Sequence, residues 1–168
     1  MSGKDMRESV GLLLVVASMV FVGFEIRTTN IQGRAAAYQE IGIATAEIWA
    51  SVGESPQLSV LFLESLDPDL VAAWAADDWA QHFASFTGWL RLAETALLQV
   101  EQGLLPPDAM ERLGYSGGPD WLNRFPAFAC MWPSMRGRVG TTLRERIEGA
   151  RTEPTFDCEE LDVPSYFR

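Results

Sequence analysis

VGLLLVVASMVFVGF, residues 10–24, carries no charge and no strong helix breaker beyond Gly11 and Gly23. Arg7 and Glu8 edge it on one side, Glu25 and Arg27 on the other. The bare run is about 15 residues, or about 22 Å as a helix, against a hydrocarbon core of about 30 Å. Extended over residues 6–26 it reaches about 31 Å, which spans a bilayer when Arg7, Glu8 and Glu25 sit at or snorkel to the interfaces. Val10, Leu13, Leu14, Val16, Val20, Phe21 and Phe24 are then the residues of a membrane anchor.

Three other readings compete with a permanent single-pass anchor. A cleaved signal peptide suits the Lys4/Arg7 start, but the flank GFEIRTTN offers no small-x-small cleavage site. A buried core helix usually shows a polar face, and this run has only Ser18. A self-associating membrane helix is suggested by Gly11 and Ser18, seven apart on one face. The anchor is the preferred reading, with weak homo-oligomerisation through it as an addition. Charge says little about orientation: Lys4 and Arg7 precede the run, Arg27 and Arg34 follow it, and a free amino terminus tips the tally slightly towards an external domain.

The 168 residues divide on this basis into a short tail (1–8), a transmembrane helix (9–27), a soluble domain (28–152) and an acidic, then aromatic tail (153–168). A net charge of −10 argues against nucleic-acid binding, which needs a basic face to neutralise phosphate. The same charge opposes a domain lying flat on an anionic leaflet. With 48% hydrophobic residues, six Trp and nine Phe, most of the chain can build a core. Few alternating β-branched runs and much Ala, Leu, Glu and Gln make the expected fold all-α: an N-terminal transmembrane helix continuing into a small helical bundle.

No signal forces the first helix to stop before Gly53, although Thr28-Thr29-Asn30 and Gly33 are weak points. Tyr38, Ile41, Thr45, Ile48 and Val52, with Ala37 and Ala44 beside them, form the stripe expected to pack on the domain. Ser55-Pro56 and Asp67-Pro68 each put a capping side chain before a proline at the first helical position. They predict a short helix over 56–66, with Leu58, Leu61, Phe62 and Leu66 inward, and a central helix over 68–102 ended by Gly103. Further on, the sequence predicts a helix over 107–113, a Gly114–Gly118 loop, and a helix from Pro119 through Trp132, kinked early by Pro126 and ended by Pro133. Thr142-Leu143-Arg144-Glu145 reads as a capping box for a last helix to about Arg151. The tail offers two outcomes, disorder or docking of Tyr166 and Phe167.

The segment Glu25-Ile26-Arg27-Thr28-Thr29-Asn30, then Arg34-Ala35-Ala36-Ala37-Tyr38-Gln39, resembles a set of uncharacterised bacterial membrane proteins. In these, one membrane helix ends in a QIRQNTRALRASAYQ-like sequence and a helical domain follows. Trp89 and Glu94, Gly103 to Pro106, and Trp132-Pro133 correspond to further features of that set. The resemblance brings no activity and no catalytic residues. It implies a domain in the cytosol, since those relatives usually carry basic residues after the helix. Lys4, Arg7 and Glu25 depart from that pattern.

Chemistry-bearing residues are sparse. His82, the only histidine, follows Asp78 by one turn; the pair reads either as a general base with its orienting carboxylate or, preferably, as a surface i,i+4 contact. One histidine rules out a ferritin-like di-metal site. Glu94, between Trp89/Leu90 and Leu97/Leu98, reads as a half-buried carboxylate paired with Arg91 or another arginine or as a solvated position, and less readily as a ligand or proton site facing a cavity. Glu40 and Glu47 share a face of the first helix and read as solvated. The loop at 114–118 lacks the spacing and lysine of a phosphate cradle. Arg136, Arg138, Arg144, Arg146 and Arg151 are the one dense basic group, read as a surface for lipid headgroups or an acidic partner or, preferably, as intrahelical pairing, notably Arg144 with Glu148. Cys130 and Cys158 form no CxxC and have no histidine neighbours, which argues against zinc; two free thiols are expected, with Cys130 packed in an apolar segment, and a single bridge only if the domain faces an oxidising compartment.

The sequence therefore points to an anchored helical protein of the bacterial inner membrane, its domain more often cytosolic than external. Its partners are the bilayer and another membrane protein, its role accessory or scaffolding, and no metal, cofactor or catalytic residue is expected. The rival is a ligand-sensing or enzymatic domain with a pocket lined by Trp74, Trp79, Trp89 and Trp132. Trp89, Glu94, His82, Trp132 and Arg144 are the candidate interaction or pocket residues.

Overall fold

The first helix continues unbroken through Thr28–Asn30 and Gly33. In the computed structural model, α1 runs unbroken from Gly3 to Glu54, 52 residues and about 78 Å long. The structure describes residues 3–112, 121–150, 156–161 and 163–167, with side chains from Val10 onward. Over residues 10–36 the side chains of α1 are exposed, with only Thr28 partly covered. This helix is long and apolar enough to cross a membrane; its most apolar window has a mean hydropathy of 2.0, and none of it is buried by the rest of the chain.

Packing begins one turn further on. Ala37, Ile41 and Val52 are buried, and Ala44 and Ile48 pack beside them. Tyr38, expected inward, faces solvent instead, because the buried stripe runs through Ala37 and Ile41. This face of α1 lies against α2 (Pro56–Glu64) and α4 (Ala76–Glu101). The proline starts are built as the sequence implies. Ser55 Oγ accepts from the Leu58 N–H at 3.3 Å, and Asp67 Oδ1 accepts from the Asp69 N–H at 3.0 Å. Helix α2 stops at Glu64, however, and leaves Leu66 exposed; Ser65 turns fully inward and bonds the Phe62 carbonyl at 2.7 Å.

The central helix is shorter than expected. Asp67 opens only α3 (Pro68–Val71); the chain then leaves the helix and restarts at Ala76. One bond to α2 and one within the first turn of α4 fix the break. Trp74 Nε1 donates to Glu64 Oε2 of α2 at 2.8 Å, and Asp78 Oδ2 accepts from the Ala75 N–H at 2.9 Å, half of a capping box. Gly103, at φ 71°, ends α4 as read from the sequence.

Beyond α5 (Ala109–Arg112), the expected loop at 114–118 and the start at Pro119 lie outside the described residues. The helix expected through Trp132 is two helices, α6 (Trp121–Arg124) and α7 (Pro126–Met135). Pro126 disfavours helical backbone at the preceding residue, and Phe125 is accordingly extended (φ −120°, ψ 97°). Pro133 sits inside α7 rather than ending it. A missing N–H late in an otherwise buried helix costs one bond without expelling the next turn. A 3₁₀ turn, Arg136–Arg138, leads to α8 (Thr141–Gly149), and a second, Ser165–Phe167, closes the tail. No strand occurs among the described residues; the fold is all-α, as expected.

The core is a network of rings gathered on Phe86 of α4. Its ring meets His82 at 4.5 Å, Phe128 at 4.8 Å, Phe125 at 5.3 Å and Trp121 at 6.1 Å, joining α4 to α6 and α7. Phe125 reaches Phe62 of α2 at 5.8 Å, and Phe62 reaches Trp49 of α1 at 5.3 Å. Of the two outcomes left open for the tail, the structure shows docking. Leu161, Val163 and Phe167 are buried, Phe167 stacks on Phe83 at 4.9 Å, and Tyr166 stays exposed.

Candidate functional site

His82 sits on the inner face of α4 because three residues of helix separate it from Trp79 and four from Phe86, both core. It is 3% exposed and lies between the rings of Trp74 (5.0 Å) and Phe86 (4.5 Å). Its Nε2 has no hydrogen-bond partner. Burial among apolar groups pushes its pKa down to about 3, so the ring is neutral at pH 7. Neither expected role holds. The Asp78 carboxylate is committed to the Ala75 N–H, so the two form neither a surface pair nor a base with its orienter.

Beside the imidazole lies a cavity of about 20 Å³, lined by Val52, Leu58, Phe62, Phe86 and Trp89 among others. That is room for about one water. Trp89 is partly buried and packs edge-on against Trp49 of α1 at 5.0 Å. Trp74 and Trp79 pack on each other at 5.3 Å, and Trp132 packs on Phe128 at 5.5 Å. The tryptophans are thus spread through the ring network and serve to join elements.

Glu94 is half-buried, as its flanks implied, and pairs with Arg91 at 2.9 Å. An exposed pair one turn apart contributes little. The more informative contact is to another element: Glu94 Oε1 accepts from the Gly140 N–H at the start of α8. The expected Thr142/Glu145 capping box does not form. The N-cap is Gly140, which has no side chain to offer the first-turn N–H groups, and Glu94 reaches across from α4 to take the N-cap's own N–H, the part that an N3 glutamate plays in a capping box. A Cβ added at Gly140 would meet Glu94 Oε1 at 2.7 Å, so glycine here keeps room for the carboxylate. Glu94→Ala is expected to lower stability by about 1 kcal/mol and Glu94→Gln by less, since the amide oxygen still accepts. Thermal unfolding of the full chain in mild detergent checks this; equal losses for the two variants would remove the capping role.

The basic group is also arranged differently from expectation. Glu148 pairs with Arg136 at 2.9 Å and accepts from Trp132 Nε1 at 3.0 Å, so it ties α8 to α7 and not to Arg144. Trp132 is buried by this contact, and Arg144 is partly buried. Arg138 lies over the Phe83 ring at 5.2 Å, a cation–π contact. Arg151 is outside the described residues.

The two cysteines are not free. Cys130 of α7 and Cys158 of the tail are joined in a disulfide, with Cα atoms 5.4 Å apart. This is the less favoured of the two outcomes read from the sequence, because the partners are separated by 28 positions and meet only once the tail has docked. Cys130 is packed in its apolar segment as expected, at 4% exposed.

Among the described residues no three His, Cys, Asp or Glu side chains gather as a metal site. Among the described residues, the arrangement holds a neutral imidazole in an aromatic cage and binds α4, α7, α8 and the tail together. No protein-family model, curated protein or solved structure matches this chain.

Proposed function

We propose that the chain is a membrane-anchored helical module of the bacterial inner membrane that works by interaction, as an accessory or scaffolding partner of other membrane components, without catalysis. The observation that carries this reading is the continuity of α1. One helix is bare over residues 10–36 and packed on the domain from Ala37 to Val52. From Arg27 to Ala37 the bare helix is about 15 Å long, which holds the domain off the lipid surface. A stiff, hingeless stand-off suits a protein that presents a surface to a neighbour in the same membrane.

Such a surface is present on α2, the turn after it and α3, where Val60, Leu63, Leu66 and Leu70 are 41–65% exposed. An apolar patch of this kind is a normal feature of protein-contact surfaces. The cavity at His82 and Trp89, with room for about one water, gives less support to the ligand-pocket alternative.

Carbonate-washed membranes should retain the full chain and release a variant lacking residues 1–30. In native gels of mild-detergent extracts, the full chain should run in a complex that the Leu63→Glu/Leu66→Glu double variant leaves. A full-length chain found in the soluble fraction would refute the anchor, and unchanged migration of the double variant would refute the patch.

A further inference from the structure

The cytosolic side implied by the family resemblance stands against the Cys130–Cys158 bond. Disulfides persist in oxidising compartments and are rare in a cytoplasm that keeps thiols reduced. These are the two cysteines of the whole chain, and both are used in one bridge between elements far apart in sequence. Its surroundings are made to receive the tail. Leu161, Val163 and Phe167 are buried, Phe167 stacks on Phe83, and the Ser134 hydroxyl of α7 donates to the Phe167 carbonyl. Cys158 thus joins a segment that already docks on the helices through side chains of its own. The positive charges near the apolar run do not oppose an external domain: Lys4 and Arg7 precede it, and Arg27 and Arg34 follow.

We propose that the helical domain lies on the oxidising, non-cytoplasmic side of the bilayer, where Cys130 and Cys158 are oxidised by an extracytoplasmic protein disulfide donor and thereby fasten the tail across α7. The chemistry is thiol–disulfide exchange. The thiolate of one cysteine attacks the donor's disulfide to form a mixed disulfide. The second thiolate then displaces the donor, which leaves as a dithiol carrying the two electrons and two protons that the cysteines gave up. Partly covered Cys158 is the sulfur open to this first attack, because Cys130 is buried under the docked tail. The placement rests on residues 10–24 spanning the membrane, whereas the oxidation state does not, so the two are measured separately.

The full chain is expressed in a diderm bacterial host, its thiols are trapped by acid, and it is labelled under denaturing conditions with a maleimide of about 5 kDa. Without reductant no label should add to the wild-type chain, and with reductant two should. In a host lacking its extracytoplasmic dithiol oxidase, both should add without reductant. Cys130→Ser should take one label in either case, showing that the block in the wild-type chain is the bond between the two cysteines and not another modification of Cys158. In spheroplasts, added protease should digest the domain while a cytoplasmic marker survives. Two free thiols in the unmodified host, or a domain protected in intact spheroplasts and digested only after lysis, would overturn the proposal. Release of the chain by carbonate with its thiols still oxidised would instead refute the anchor and leave export standing.

Discussion

When the full chain in neutral detergent is unfolded by denaturant at a series of pH values, His82 alone should remove about 2–3 kcal/mol of stability between pH 6.5 and 4.5. The folded imidazole has its pKa pushed down by burial to about 3, against an ordinary 6.5 in the unfolded chain. Below pH 6.5 the unfolded state therefore takes up the proton first. Stability is complete above that value and falls as the pH drops towards 3, by at most about 1.4 kcal/mol per pH unit. The contacts show why the charged ring is disfavoured: Trp74 and Phe86 flank it, the facing residues of α1 and α2 at the cavity are Val52, Leu58, Leu61 and Phe62, the other polar side chain there is the neutral Ser85, and Nε2 has no partner. The nearby carboxylates, Asp78 on the same helix and Glu64 on α2, are engaged by the Ala75 N–H and the Trp74 indole. Carboxylates elsewhere contribute their own acid dependence, so the decisive quantity is the difference between the wild type and His82→Phe. Phe fits an aromatic cage with free volume beside it, and it removes a buried unpaired nitrogen. The variant should be the more stable at pH 7 and should widen its lead as the pH falls. Parallel pH profiles for the two chains would refute the assignment.

That prediction was out of reach from the sequence, where His82 and Asp78 stand one turn apart and invite pairing. Helical spacing places the two on one side of α4, but it cannot show that the helix begins only at Ala76. There the first turn needs a cap and takes Asp78 for it. The break itself was illegible for the same reason. Residues 72–75 contain no proline or glycine, and the chain turns because Trp74 is bonded to Glu64 of another helix. Where the cause is local, the reading was sound: the Ser55 and Asp67 caps, the stop at Gly103 and the uninterrupted apolar helix are all written within a few residues of where they act. Glu94 divides along the same line. Its partner Arg91, one turn away, was foreseeable; its bond to Gly140, 46 positions on, was not. The disulfide and the Arg136–Glu148 pair likewise depend on elements that meet only in the folded domain.

Phe86→Ala should cost about 3–5 kcal/mol, and Phe86→Leu a smaller amount, about 1–2 kcal/mol. Phe86 is the ring through which α4 meets both α6 and α7, and its neighbour Phe125 passes the contact on to Phe62 and Trp49. Truncation to Ala opens a void beside the existing cavity at His82, and close packing of Trp121, Phe128 and Trp132 leaves the walls little freedom to collapse into it. Leu keeps most of the volume and loses mainly the ring contacts. The loss should appear in denaturant unfolding followed by tryptophan fluorescence, since the six tryptophans are distributed through the domain. It should not appear in membrane attachment. Residues 10–36 of α1 touch no part of this core, so Phe86→Ala should remain in carbonate-washed membranes while losing the slow-migrating native complex. That split separates the two tasks assigned to the one long helix, holding to lipid at one end and carrying an ordered surface at the other. If the Ala variant kept its complex despite a loosened core, the binding surface would have to lie on α1 itself.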